Sequence, residues 1–191
     1  MPRILSQTAT LFLTLILSLY SVAGNSSLPL APNGYQWRWL AEIQGAFLVP
    51  QGWSFADSSV AGSLSFEIKP PAEGDTTQGE GVFIKVLKGP EQRDGLRPSI
   101  FAKRLLASYE QSADVMDVIH PKLMQEGKLL VYTISYIDAS QTSKRMVRHT
   151  LVANDTAGTL YQLRTSCLIE HWQVLDQLEV IATKFYLDDE I

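Results

Sequence analysis

From Leu129 to Ile137 the chain alternates with apolar or aromatic residues on both sides: Leu130, Tyr132, Ile134 and Tyr136 share one face, and Leu129, Val131 and Ile137 the other. Successive side chains of a strand point to opposite faces, so a strand that is apolar on both must be covered on both. Such a strand is expected at the centre of a layered domain. Around it, Trp37 and Trp39 alternate with Gln36 and Arg38, and Ala46 to Val49 is a short apolar run ended by Pro50. Leu64, Phe66 and Ile68 recur at every second position, as do Val82, Ile84 and Val86. Residues 146–153 and 159–166 flank the polar stretch Asn154 to Gly158, which reads as a hairpin turn. Pro70, Pro71 and the polar residues to Gly79 read as a hairpin tip or loop.

The period changes twice. Phe101, Leu105, Leu106 and Tyr109 predict a helix from Pro98 to about Ser112, with Ser99 as a candidate cap and Lys103, Arg104 and Glu110 toward solvent. A second helix is predicted from about Ile169 to Lys184 on the stripe Trp172, Leu175, Leu178, Ile181 and Phe185, with Glu170 and His171 opening it. Consecutive strands joined as hairpins, with one helix mid-chain and one near the C-terminus, predict an α+β fold in which an antiparallel sheet packs against helices. The 191 residues, 46% of them hydrophobic, suit one such domain, expected over residues 35–187. A single cysteine, Cys167, excludes an internal disulfide framework and a cysteine-based zinc cluster.

Residues 1–24 have the pattern of a secretory signal peptide: Arg3, an apolar run from Leu11 to Leu19, then small residues from Ser21 to Gly24. The run is about a dozen residues long, short of the ~20 that a membrane span requires. Cleavage is expected before Gly24 or before Asn25. It would leave a flexible lead-in, residues 25–34, ahead of the domain and an acidic tail, residues 188–191, behind it. The protein is thus expected to be exported, to a periplasm or outside the cell, with no stable membrane anchor after cleavage. No cysteine follows the apolar run to accept a lipid. A net charge of −4 and the lack of any basic tract argue against a nucleic-acid partner. Asn25-Ser26-Ser27 and Asn154-Asp155-Thr156 are glycosylation sequons, relevant only in a host with that machinery.

The segment Phe47-Leu48-Val49-Pro50-Gln51-Gly52-Trp53 resembles the opening of the PsbP-like proteins of the Mog/PsbP superfamily, an apolar strand running into proline and then tryptophan. Gly127 to Tyr136, the hairpin Arg148 to Leu163 with its Gly158-Thr159-Leu160-Tyr161 return, and Trp172 to Phe185 are similar to that family's later half, in the same order. The resemblance spans Tyr35 to Leu187. It implies an α/β/α sandwich and a mostly non-enzymatic role. PsbP-type proteins are extrinsic subunits on the lumenal side of photosystem II that help retain its calcium and chloride, and other members are exported proteins or binding modules without assigned chemistry. No functional residue carries over. Two departures count against a photosystem role: only Gly24 to Gly34 would precede the domain, where the photosynthetic subunits use a long N-terminal segment, and the lipid-acceptor cysteine of cyanobacterial relatives is missing.

Chemistry-bearing residues are few. His120, His149 and His171 stand in no paired spacing, so each reads as a surface or capping residue. Cys167 reads as a packed thiol, since a nucleophilic role would need a histidine such as His171 within hydrogen-bond reach. No GxSxG, SxxK or Gly-rich phosphate loop occurs. Lys144, Arg145, Arg148 and His149 form the one local basic cluster. On a strand, Lys144 and Arg148 would share one face and Arg145 and His149 the other, as ordinary edge-strand charges. Asp188, Asp189 and Glu190 read as a solvated tail rather than a calcium site. Trp53 and Trp172 read as core, whereas an open Trp37/Trp39 face would offer an apolar surface to a partner. The sequence therefore predicts a non-catalytic accessory protein with a protein partner and no cofactor, its candidate binding residues being Trp37, Trp39, Arg145 and His149. The competing reading is a hydrolase with His149 or His171 as base, or a metal or small-ligand binder, using a cleft between sheet and helices.

Overall fold

The computed structural model describes residues 28–60, 64–71, 80–90, 95–112, 115–140, 143–171 and 174–187. The expected signal peptide, most of the polar loop after Pro71, Trp172 and the acidic tail lie outside these residues, as does the side chain of His120. The chain divides into two units, Met1–Ala31 and Pro32–Ile191, and the fold belongs to the second. Its elements are β1 (Tyr35–Leu40), a 3-10 turn (Ala41–Ile43), β2 (Gly45–Pro50), β3 (Ser54–Asp57), β4 (Leu64–Lys69), β5 (Gly81–Lys88), α1 (Pro98–Glu110), β6 (Val115–Glu126), β7 (Leu129–Asp138), β8 (Arg145–Asn154), β9 (Thr159–Leu168), α2 (Leu175–Thr183) and β10 (Phe185–Leu187).

The strands form two antiparallel sheets, one of three strands in the order β1-β2-β10 and one of seven in the order β3-β4-β5-β9-β8-β7-β6. Alternation along each strand of the large sheet sorts its side chains into two cores. On the first face, Phe66, Ile68, Val82, Ile84, Val131, Val152 and Leu163 meet Phe47 and Val49 of the small sheet and Leu178 and Ile181 of α2. On the second, Tyr132, Ile134, Tyr136, Val147, Leu151 and Leu160 meet Ala102 and Leu106 of α1. The two coverings are offset. The small sheet and α2 lie over β4, β5 and β9 and reach only the Leu129–Val131 and Val152 ends of β7 and β8 on the first face, and α1 lies over β6 to β9 on the second. Each face therefore keeps an uncovered end: Met116, Ile119 and Met146 are exposed on the first, and Phe83 on the second.

The hairpin turn before β9 is built as the sequence predicts, with Asn154 Oδ1 accepting the N–H groups of Thr156 and Ala157 at 3.0 and 2.9 Å. Asn154 is buried in this role, which closes that sequon to modification. The same turn caps α1. Ser99 is not the N-cap; that position is Arg97, which makes no side-chain cap. Instead Ser99 donates its N–H at 2.8 Å and its hydroxyl at 2.6 Å to the Asp155 carboxylate, placing an acid where the helix dipole favours one. Asp155→Ala should lower the free energy of unfolding by about 1–2 kcal/mol, read as a reduced urea midpoint at unchanged slope. An unchanged midpoint would show the contact to be idle.

Three of these expectations need correction, and one strand was not foreseen. The Leu129–Ile137 strand, β7, is interior but not central: the centre is β9, and Thr133, Ser135 and Ile137 are only half-buried because the first-face covering stops short of them. The charges of β8 are not on an edge, since β7 and β9 pair with it along its whole length. β6 was not expected at all; it is the edge strand at this end of the sheet, with register shifts on both sides of Ile119 and a positive φ at Asp117. The last helix is shorter than its stripe: it begins only at Leu175, after a connection, and at its far end strand pairing takes Phe185. Leu168 pairs with Arg145 and Phe185 with Phe47, so Glu170 and His171 lie in the connection before α2.

Candidate functional site

The uncovered end of the first face is apolar. Register sets Met116, Ile137 and Met146 side by side across β6, β7 and β8, and sets Ile119, Ser135, Arg148 and Thr165 in the neighbouring row. Ile119 is 62% exposed, Met116 45% and Met146 36%. α2 walls this surface with Asp176, Leu178 and Glu179, leaving a cleft of about 280 Å³. Arg148 crosses its floor to an ion pair with Glu179, while its Nε is buried without a hydrogen bond. Methionine side chains are unbranched and polarizable, suited to adapt to a partner's surface.

The second face at the same end of the sheet is aromatic and basic. His149 faces Arg164 across β8 and β9. Tyr109 of α1 stacks on the His149 ring at 3.9 Å, and Tyr136 Oη lies 3.1 Å from His149 Nε2. Burial, with the Arg164 charge added, pushes the His149 pKa down to about 3, so the ring is neutral at pH 7 and a poor base. Burial also raises the Tyr109 and Tyr136 pKa values, keeping both hydroxyls protonated. Arg145 stands opposite Asp138, whose pKa is lowered chiefly by the hydroxyl and N–H of Ser140.

His149 is thus buried, not at the surface or a cap. The ring stack and its tyrosine partner hold it. His171 is bound through Nδ1 to the buried carboxylate of Glu80 at 2.7 Å, and Glu80 also accepts the Leu168 N–H at 3.0 Å. Beside them the Cys167 thiol is pushed up to about 11, first by burial and then by the Glu80 charge, and a thiol so held is a poor nucleophile. His149 therefore does not favour the hydrolase reading, and Cys167 is a poor nucleophile for His171 to activate. Among the described residues no group of three or more His, Cys, Asp or Glu could hold a metal ion.

The four candidate residues do not form one site. Trp37 and Trp39 lie on the small sheet, on the side away from Phe47 and Val49; both are half-buried, and Trp39 sits 6.3 Å from the Tyr186 ring. Arg145 and His149 do share a face, as alternation predicts, but on the far side of the large sheet. Sequence reasoning missed Arg164, Ile119 and Met116. The turn offered a signal for Arg164: with Asn154 opposite Thr159, counting back along both strands sets His149 opposite Arg164.

With this geometry and topology the chain has the Mog1/PsbP fold, as the resemblance of its residues implied. The solution structure of cyanobacterial PsbP, CyanoP, from Synechocystis is similar to it at a TM-score of 0.55 and 16% identity, over 86% of this chain and 98% of that one. LpqN of Mycobacterium tuberculosis, described as involved in cell envelope biogenesis, gives 0.46 at 11% identity over 85% and 83%. The Ran-binding protein Mog1p of Saccharomyces cerevisiae gives 0.46 at 10% identity over 82% and 96%. No family model matches the sequence, and no curated protein matches it. Among the described residues no helix is long and apolar enough to cross a membrane.

Proposed function

We propose that this chain is an exported, non-catalytic accessory protein that seats a protein partner on the first-face cleft between β6–β8 and α2. The observation that carries this reading is the exposed row of Met116, Ile119 and Met146 on a sheet face that its own covering layer does not reach. Contiguous apolar surface of this kind marks interaction sites. The Arg148–Glu179 pair, running from floor to wall, adds a polar element beside this apolar row, as interfaces of this kind carry. Its likeness to CyanoP supports the α/β/α layer order, with the small sheet sharing a layer with α2. Trp37 and Trp39 offer a second, smaller contact on the outer side of that layer.

A photo-crosslinking residue at Ile119, with the same residue at Lys103 on the solvent side of α1 as control, tests this in the protein's own host. The expected result is one discrete crosslinked protein from position 119, absent from position 103 and lost when Met146→Asp is added. Equal labelling from both positions would overturn the partner surface. The N-terminus of the recovered protein reads the export part of the proposal, expected at Gly24 or Asn25.

A further inference from the structure

We propose that a second cleft, on the opposite face of the large sheet, binds a small carboxylate through Arg164 and Ser166. The cleft measures about 170 Å³ and opens at the β4-β5-β9 end that α1 leaves uncovered. Arg164 and Ser166 are two apart on β9 and so point the same way into it. Ser166 is 2% exposed, and its buried Oγ makes no hydrogen bond, a costly state for a hydroxyl unless something else fills it. Arg164 is partly buried and makes no ion pair among the described residues, so its forked donors are open to a planar, two-oxygen acceptor.

The remaining walls agree with this ligand. Gly81 lies directly opposite Ser166 in the register and lines the cleft with it. Phe83 lies opposite Arg164, 37% exposed, as an apolar wall for a short carbon tail. Two carboxylates line the cleft, and both are engaged: Glu67 pairs with Lys69, and Glu80 holds His171 and the Leu168 N–H. Arg164 thus has no carboxylate within ion-pair distance among the described residues, and Asp138 attracts it only from further off. A shallow cleft of this size suits a small ligand such as a short-chain monocarboxylate. The site is independent of the partner cleft, from which the sheet separates it.

The test is a proton–nitrogen NMR titration of the full chain with sodium propionate at constant ionic strength, with sodium sulfate and sodium phosphate as separate arms. Propionate should give saturable shifts at the amides of Gly81, Val82 and Ser166. Arg164→Gln should weaken binding at least about tenfold, Ser166→Ala severalfold, and Lys103→Gln not at all. Neutralising Arg164 with bound propionate should also raise the His149 pKa, because that charge helps to hold it down. Shifts that fail to saturate, or that saturate equally in Arg164→Gln, would overturn the site. Equal binding of sulfate or phosphate would overturn the carboxylate assignment. Should Arg164→Gln not fold, Arg164→Lys serves, since it keeps the charge and loses the fork; affinity equal to that of the unaltered chain would count against the proposal.

Discussion

Gly81→Ala is expected to destabilise the protein by more than about 3 kcal/mol, read as a large fall in the urea midpoint. Gly81 begins β5 with φ at +125°, a conformation nearly closed to other residues. A Cβ built there would lie 2.2 Å from the Ile68 carbonyl oxygen and 3.2 Å from Lys69 Cα, both backbone atoms of the paired strand β4. No rotamer change relieves a clash with backbone, so β5 would have to move away from β4 or lose its first pairs. Gly158→Ala is the control. Its φ is +64°, but nothing lies within 4 Å of the added carbon, so only the conformational cost of about 1 kcal/mol should appear. Equal losses at the two sites would mean that β4 yields without resistance.

Lowering the pH from 6.5 to 4.5 should weaken the fold by about 2–3 kcal/mol through His149 alone. The folded ring takes a proton only near pH 3, whereas the unfolded ring takes one at its ordinary value of 6.5. Between those values the unfolded chain holds one proton more, so stability falls as the pH falls. The effect is complete below about pH 3 and absent above about pH 7.5. The Tyr136→Phe/His149→Phe double variant removes the titrating ring and its hydroxyl partner together, leaving an apolar stack under Tyr109. The stability difference between wild type and this variant should shift by those 2–3 kcal/mol between pH 7 and pH 4.5. A constant difference would mean that water reaches the ring.

The parts of this fold that were legible in the sequence are those where one strand's own alternation decides its faces. β7, β8 and β9 read correctly because each hides an apolar set, and the Asn154–Gly158 turn fixes how the last two meet. β6 stayed hidden for physical reasons. An edge strand is bonded on one side only, tolerates Pro121 and bulges, and carries Met116, Asp117, Ile119 and Lys122 without a clean period. The C-terminal stripe failed differently: its helical spacing holds for α2, but Phe185 leaves the helix to pair with Phe47 in the small sheet, their rings 6.3 Å apart. Most of the candidate site was illegible, because exposure of Ile119 and Met146 depends on where the small sheet ends. That is a property of layers, not of any local pattern. The separation of Arg145 and His149 from Arg148 was legible, since it rests on alternation alone.

The strand order also imposes a schedule on the newly made chain. β3, β4 and β5 form one block of hairpins, and β6, β7 and β8 another, yet only β9 joins them, pairing with β5 on one side and β8 on the other. Neither block can dock until residues 159–168 are available, and β2 waits longer still for Phe185 to Leu187. Closure across such distances in sequence is slow, and the unpaired edges of β5 and β8 are open to wrong partners meanwhile. The keystone strand arrives next to last, so a truncated or stalled product would be two separate hairpin blocks instead of a smaller version of the protein.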